Sequence, residues 1–225
     1  MKSLKILMTI SVVFCFIGLY AQTNDFGVWA NADISIKILP KLNATFEEEL
    51  RTRDNSGTID RFESSLELSY KFNKYLKAGG GYSLINYNHP DDYWETRHRY
   101  FFFIQGEYSL NRFTFSLKER YQSTYRVGVS ETSTRANPKL YLRSRLMATY
   151  DIRKSRFSPY CSAEFYYTLN NPTENQMNKI RYTIGSKFKL NKSSNLNIYY
   201  RYVTKKNTSD IEGDNILGLG YSFNF

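Results

Sequence analysis

Apolar and polar residues alternate with a period of two along most of this 225-residue chain. In the segment 62–72, Leu66, Leu68 and Tyr70 share one face. Their polar neighbours, Glu63 and Glu67 among them, share the other face. Because successive side chains of a strand point to opposite sides, alternation of this length predicts β-strands. The same pattern recurs in the segments 26–38, 99–110, 113–122, 140–150, 180–190, 196–202 and 217–225.

Two kinds of connection separate these segments. Short connections carry turn residues at Leu39–Lys41, Asn73-Lys74, Asn111-Arg112, Arg153–Arg156 and Asn191–Ser194. Longer polar stretches lie between them, at Arg53–Thr58, Asn86–Tyr93, Thr124–Pro138, Asn170–Gln176 and Thr204–Asp214. Short turns that alternate with longer loops are typical of outer-membrane barrels.

The strands of such a protein must close into a barrel, because an unpaired strand edge in hydrocarbon has no water to bond. The sequence therefore predicts an all-β fold, a transmembrane antiparallel up-and-down β-barrel of about 10–12 strands. Counting from Lys41 gives ten strands. The segment 26–38 then forms an eleventh, which breaks the even parity of bacterial barrels. Either a bend or bulge splits it, which makes twelve strands, or it lies against the barrel or in its lumen.

The N-terminus predicts export. Lys2 and Lys5 precede an apolar run from Ile6 to Leu19, and the small residue Ala21 follows. This order predicts a cleaved signal peptide over residues 1–21, because the run is shorter than the roughly 20 residues of a membrane-spanning helix. Residues 22–225 are then a single barrel domain in the outer membrane of a Gram-negative cell.

The composition agrees with such a barrel and narrows its partners. Aromatic residues make up 17% of the chain, yet the mean hydropathy is −0.53, as expected for strands with one lipid-facing and one watery face. The formal net charge is +10. For an exported chain this charge favours lipopolysaccharide phosphates and acidic solutes as partners, beside the lipids of the outer membrane, and it does not favour nucleic acid. No cofactor is expected.

The chain ends on a strand that alternates up to a terminal Phe. Outer-membrane barrels typically finish in this way, with a C-terminal strand that the barrel assembly machinery recognises. The residues predicted to form this assembly signal are Leu219, Tyr221, Phe223 and Phe225.

If aromatic residues face lipid, the opposite faces of the strands supply the lumen. The predicted lumen-lining residues are Glu47, Glu49, Arg61, Glu63, Glu67, Arg99, Glu107, Lys118, Arg120, Arg143, Arg145, Glu164, Lys179, Arg181 and Arg201. Charges of both signs with long side chains can pair across a small barrel and fill it. The alternative is a narrow anion-biased channel, because bases outnumber acids on this face.

Other features have structural explanations. Gly79-Gly80-Gly81 lies inside a strand, where bare backbone would let a bulky neighbour, Tyr82 or a cross-strand aromatic, fold over it. Trp29, Tyr166 and Tyr199 are expected at strand ends or on outward faces, in the interfacial girdles of a barrel.

The chemistry of an enzyme is weakly represented. A lipase or deacylase of the outer membrane would need a hydroxyl activated by a histidine that an acid holds. His98, with Glu95 near it in sequence, is the weak candidate, and His89 is the other histidine. No serine stands out as a partner, and the chain has too few His and Cys for a metal site. No enzymatic activity is therefore expected.

Short motifs along the chain resemble an uncharacterised family of Bacteroidota outer-membrane proteins, DUF 2490. They are Asp25–Trp29, Glu47–Asn55, Glu95–Tyr100 and Ile216–Tyr221. The resemblance implies a barrel of unknown function and supplies no catalytic residues.

Together these features predict an outer-membrane barrel with a structural or small-solute transport role. Three alternatives stay open, which are the anion-biased channel, the lipid-modifying hydrolase, and a binding or adhesion module that acts through the loop Thr124–Pro138.

Overall fold

The computed structural model describes residues 25–129, 137–171, 175–206 and 211–225. The predicted signal peptide and most of the loop Thr124–Pro138 lie outside these residues. The described chain forms eleven strands. They are β1 (Asp25–Leu39), β2 (Leu42–Arg53), β3 (Thr58–Lys71), β4 (Leu76–Asn88), β5 (Trp94–Leu110), β6 (Phe113–Arg126), β7 (Lys139–Tyr150), β8 (Phe157–Thr168), β9 (Met177–Lys189), β10 (Ser194–Lys206) and β11 (Ile211–Asn224).

These strands close into one barrel in the order of the sequence, and consecutive strands pair antiparallel from β1 to β11. The predicted all-β barrel is confirmed. Among the described residues no helix is long and apolar enough to cross a membrane.

The closing pair differs from the prediction. β1 runs parallel to β11, with Trp29 opposite Gly218 and Ser35 opposite Asn224. The N–H of Phe225 donates to the carbonyl of Ser35 at 2.9 Å. Both interpretations of the segment 26–38 were therefore wrong, because it is neither split into two strands nor placed in the lumen. It is one continuous wall strand, and its parallel pairing is what allows an odd number of strands to close.

The predicted turns lie between consecutive strands at one rim, here called the turn side. They occupy 40–41, 72–75, 111–112, 151–156 and 190–193. The described residues at the opposite rim, the loop side, are 54–57, 89–93, 127–129, 137–138, 169–171 and 175–176. Several loops are shorter than predicted because the polar ends of strands continue the sheet, as in β11, which begins at Ile211 rather than after Asp214.

The outward face of the barrel is apolar. Its large side chains stand clear of the rest of the protein, with Leu66 51%, Phe102 67% and Ile184 64% exposed. Such a surface would be costly in water and is what a lipid-facing barrel requires. A concavity of about 1070 Å³ interrupts this face where β5 to β8 carry small residues, including Gly106, Ala148 and Ala163. Its lining is apolar, like the rest of the outward face.

The glycines of β4 lie beneath aromatic rings of β5, as the sequence predicted. A Cβ on Gly79 would meet Cζ of Phe103 at 2.8 Å, and one on Gly81 would meet Cζ of Phe101 at 2.5 Å. Both rings are buried. They point into the barrel, so this part of the wall is a strip of backbone covered by two inward-facing phenyl rings.

Candidate functional site

The inward faces of the strands enclose a central chamber of about 420 Å³. Its lining carries eight cationic side chains, which are Arg51, Arg99, Lys118, Arg120, Arg143, Arg145, Arg181 and Arg201. It carries six acidic side chains, which are Asp33, Glu47, Glu49, Glu63, Glu67 and Glu164. The chamber is therefore strongly polar, with a formal excess of positive charge.

The two signs lie mostly on different walls. Five of the six acids belong to β1, β2 and β3, whereas seven of the eight cations belong to β5, β6, β7, β9 and β10. The exceptions are Arg51 on β2 and Glu164 on β8. A solute in the chamber is thus placed between an acidic wall and a more extensive basic wall.

Part of this charge is paired. Arg99 binds Glu63, and Arg143 binds Glu164 at 2.8 Å. Arg51 donates from Nε to Oε1 of Glu49 at 2.7 Å. These pairs lie between strands or along one strand and anchor side chains close to the wall.

One ion pair crosses a wider part of the lumen. Nζ of Lys118 on β6 lies 3.7 Å from Oε2 of Glu67 on β3, and two strands, β4 and β5, lie between them in the wall. It narrows the chamber between the basic and acidic walls.

Of the remaining cations, Arg181 reaches Glu164 at 3.4 Å, whereas Arg120, Arg145 and Arg201 have no acidic partner among the described residues. The side chains of Arg120 and Arg145 form no ion pair or hydrogen bond with another described residue, and Nε of Arg120 is buried without a hydrogen-bond partner. Arg201 donates to Oγ1 of Thr183 at 2.9 Å, which holds it without neutralising it. An unpaired cation costs free energy when it is removed from water, so these groups favour a chamber that contains water or anions.

Aromatic rings hold several of the cations in place. The guanidinium of Arg120 lies 3.6 Å from the ring centroid of Phe101, and Nζ of Lys118 lies 3.7 Å from that of Phe103. Contacts of this kind are attractive because the face of the ring is electron-rich. A ring fixes the position of a cation but carries no formal charge, so Arg120 stays without a neutralising partner, whereas Lys118 is paired with Glu67.

Trp29 forms a second aromatic platform. The guanidinium carbons of Arg51, Arg181 and Arg201 lie 3.8, 4.9 and 4.9 Å from its ring. These arginines come from β2, β9 and β10. The buried Trp29 side chain therefore connects β1, the strand that closes the barrel, to the basic wall.

A second cavity, the loop-side vestibule, has a volume of about 820 Å³ and lies below the loops 54–57 and 89–93. Its lining includes Trp29, Arg61 and Lys179, and it shares Arg51 and Arg181 with the central chamber. The layer of Arg51 and Arg181 therefore lies at the junction of the two cavities. A small cavity of about 200 Å³ at the turn side contains Glu107.

The predicted lumen residues are distributed over these cavities. Twelve of the fifteen line the central chamber, Arg61 and Lys179 line the vestibule, and Glu107 lines the turn-side cavity. Asp33 lines the chamber and was not predicted, although it alternates with apolar residues in β1.

The inward aromatic residues are a correction. Trp29, Tyr166 and Tyr199 are buried, with 7%, 4% and 6% exposure, and Tyr199 lines the central chamber. They were expected in outward girdles. The signal that could have placed them was their register, since Trp29 alternates with Val28 and Ala30 and shares its side of the strand with Asn31.

The histidines do not form a hydrolase site among the described residues. Nδ1 of His98 lies 2.7 Å from Oη of Tyr82, and no acid bonds the other side of its ring. Glu95 points to the opposite face of β5, where it is buried and binds Arg97. Nδ1 of His89 lies 3.3 Å from a carboxylate oxygen of Asp91. No group of three or more His, Cys, Asp or Glu side chains in the described part of the chain could hold a metal ion.

The residues of the predicted assembly signal lie in and just after β11. Leu219 and Tyr221 are exposed on the outward face, and the terminal Phe225 is 75% exposed. The rings of Phe223 and Phe225 contact each other edge to face at 4.7 Å. Recognition by assembly machinery stays a prediction.

Comparison with known proteins gives the fold and the family. A solved structure described as the NanC porin in a rhombohedral crystal form matches with a TM-score of 0.52 and 14% sequence identity, over 79% of this chain and 86% of that one. At this identity the likeness shows a porin-like barrel fold. No curated protein matches the sequence. The profile of a family described as a protein of unknown function, DUF2490, matches residues 26–214, in agreement with the resemblance of the short motifs. Since this match spans most of the chain, the protein belongs to the DUF2490 family.

Proposed function

We propose that this protein is an outer-membrane channel of narrow bore that passes small anionic solutes, with outer-membrane lipids and lipopolysaccharide against its outward face. The observation that carries the proposal is the pair Arg120 and Arg145, whose side chains face the central chamber without an acidic partner in the part of the chain that the structure describes. Fixed, unneutralised cations inside a pore attract anions and repel cations.

The narrow bore follows from the side chains that enter the lumen. Lys118 reaches Glu67 on the acidic wall, and Arg181 reaches the ring of Trp29. A chamber of about 420 Å³ accommodates a small hydrated solute and excludes a large one. The proposal is therefore limited to small anions.

The overall excess of positive charge in the central chamber also supports selectivity for anions. Eight cations against six acids line the central chamber. In the vestibule, the residues not shared with the chamber balance, with four cations (Arg53, Arg61, Lys179 and Lys205) and four acids (Asp25, Asp54, Asp60 and Asp214). An anion that enters from the loop side meets basic groups along the β9 wall before it reaches the chamber.

The experiment is the reversal potential in a planar bilayer across a salt gradient. Folded protein is expected to give anion-selective steps. Replacing Arg120→Gln and Arg145→Gln together is expected to lower the ratio of anion to cation permeability at least twofold.

A matched control removes the same charge elsewhere. Lys154→Gln with Lys192→Gln lies in exposed turns at the turn side, where salt screens a charge within about 8 Å at physiological ionic strength. This control is expected to shift the permeability ratio by less than half as much. Equal shifts for both double variants would contradict a selectivity set in the chamber.

A silent bilayer would overturn the channel, provided that the protein shows the gel mobility shift of a folded barrel on heating. The same ion pairs and ring contacts would then describe a plugged barrel with a structural role.

A further inference from the structure

A cluster of three cations surrounds one buried ring near the junction of the two cavities. The ring of Tyr166 lies 4.5 Å from the guanidinium carbon of Arg143, 4.7 Å from that of Arg181 and 5.3 Å from Nζ of Lys179. The residues belong to three neighbouring strands, β7, β8 and β9.

One carboxylate serves this cluster. Glu164 accepts hydrogen bonds from Nη2 of Arg143 at 2.8 Å and from Oη of Tyr166 at 3.1 Å. Nη1 of Arg181 reaches it at the longer distance of 3.4 Å. Glu164 thus forms its shorter hydrogen bonds with Arg143 and Tyr166, and it neutralises Arg181 only weakly.

The two β9 cations lack other partners. Arg181 is more than nine-tenths buried, and its Nε has no hydrogen-bond partner among the described residues. The side chain of Lys179 forms no ion pair or hydrogen bond with another described residue. Removing two such charges from water is expensive unless an opposite charge is close.

The acidic side chains of the vestibule bind groups other than Lys179 and Arg181. Asp60 binds Arg61 at 2.6 Å, and Asp214 binds Lys205. The carboxylate of Asp25 accepts from the backbone N–H groups of residues 54 and 55. Asp54 binds its neighbour Arg53 at 3.1 Å. None of them neutralises Lys179 or Arg181.

We infer that Lys179 and Arg181 form a binding site for an oxyanion, the carboxylate or phosphate group of a small solute, between the vestibule and the central chamber. Lys179 lines the vestibule, whereas Arg181 lines both cavities. A guanidinium offers donors in a fixed plane and an ammonium adds a point charge, a combination that suits an oxyanion. The site deepens the proposed function, on which it rests for its place along a solute path.

Trp29 provides a direct readout of this site. Its ring lies 4.9 Å from the guanidinium carbon of Arg181, and the chain contains two tryptophans. Trp94→Phe, at an exposed position stacked on Phe62, leaves Trp29 as the only tryptophan.

The experiment titrates inorganic phosphate into folded Trp94→Phe protein in detergent micelles, with chloride adjusted to keep the ionic strength constant. A saturable change in Trp29 fluorescence is expected. Adding Lys179→Gln, which removes a cation stacked on Tyr166, is expected to raise the half-saturating phosphate concentration at least tenfold. Lys154→Gln in its place is expected to leave that concentration within twofold.

Equilibrium dialysis with radiolabelled phosphate provides a measurement that does not depend on fluorescence. No saturable binding to folded protein, or equal binding by the Lys179→Gln variant, overturns the site. Saturable, Lys179-dependent binding in a barrel that does not conduct keeps the site and overturns the channel. Conduction without saturable binding keeps the channel and overturns the site.

Discussion

The guanidinium carbon of Arg120 lies 3.6 Å from the ring centroid of Phe101, and the ring itself rests on the backbone of Gly81. Glycine, ring and cation thus form a stack that runs from β4 through β5 to β6. The stack links a local property of the sequence, a residue without a side chain, to the position of a charge in the lumen.

A side chain at Gly81 should break this stack. Its Cβ would lie 2.5 Å from Cζ of Phe101 and would also press on the backbone carbonyl of Leu66. Gly81→Ala is therefore expected to lower the free energy of unfolding by about 1–3 kcal/mol, the usual cost of overpacking. Urea unfolding in lipid vesicles, followed by tryptophan fluorescence, measures the change.

Gly106→Ala is the matched control, because a Cβ there would meet nothing within 4 Å. It should change the stability by less than about 0.5 kcal/mol. Equal effects of the two substitutions would mean that Phe101 does not rest on the β4 backbone.

The buried pair Arg99 and Glu63 should make coupled contributions to stability. Their side chains are 12% and 8% exposed, so breaking the pair leaves a charge in a poorly solvated place. Glu63→Gln and Arg99→Gln are each expected to destabilise the fold by about 3 kcal/mol. The double variant should lose about 1–3 kcal/mol less than the sum of the single losses. Strict additivity in the same urea assay would contradict a direct ion pair.

The alternation of the sequence predicted eight of the eleven strands and the direction of most of their side chains, whereas β2, β4 and β8 followed from the turns and loops on either side of them. A period of two depends on backbone geometry alone, so it can be read from neighbouring residues. Register also explains the failures. Glu95 and His98 are neighbours in the sequence, but their odd spacing of three residues places them on opposite faces of β5. Trp29 shares the inward side of β1 with Asn31.

The contacts of the lumen could not be predicted in the same way. Whether Lys118 meets Glu67, or Arg181 meets Trp29, depends on strand tilt and stagger around the closed barrel. Whether the barrel has an odd or an even number of strands also depends on contacts between residues that are distant in the sequence. The segment 26–38 reads as a strand in isolation, but its pairing partner β11 is separated from it by the length of the chain.

The outward face of the barrel, which the proposed function places against lipid, contains a carboxyl group near the middle of β6. Glu119 lies between the outward residues Leu117 and Tyr121 and accepts a hydrogen bond from Oγ of Ser144 at 2.6 Å. A carboxyl group among lipid chains is unfavourable, less so than a basic group. Glu119→Leu is therefore expected to raise the free energy of unfolding in lipid vesicles by about 1 kcal/mol, and Ser144→Ala to lower it by a similar amount.

The comparison with detergent tests the cause. The changes in the free energy of unfolding caused by Glu119→Leu and Ser144→Ala should both be smaller in micelles of a zwitterionic detergent, where water reaches the outward face of the barrel more easily. Destabilisation by Glu119→Leu in vesicles would show that this carboxyl group has a favourable role on the outward face.

The parallel seam between β1 and β11 makes a prediction about cross-linking. Ala30 and Leu219 are directly paired across it and both face outward. Neighbouring strands lie about 4.8 Å apart, within the range that a disulfide spans. In a Cys161→Ser background, Ala30→Cys with Leu219→Cys is expected to form a disulfide in the folded protein. After unfolding, the cross-linked chain should migrate faster on a non-reducing gel than on a reducing one.

The control moves one cysteine along the same strand. Phe223 pairs with Ile34, so Ala30→Cys with Phe223→Cys places the two sulfurs roughly 13 Å apart along the strand direction. This pair should stay reduced under the same oxidant. Cross-linking of the control pair in place of the Ala30 and Leu219 pair would overturn the parallel register. If neither pair cross-links in folded protein, the first strand does not close the barrel against the last.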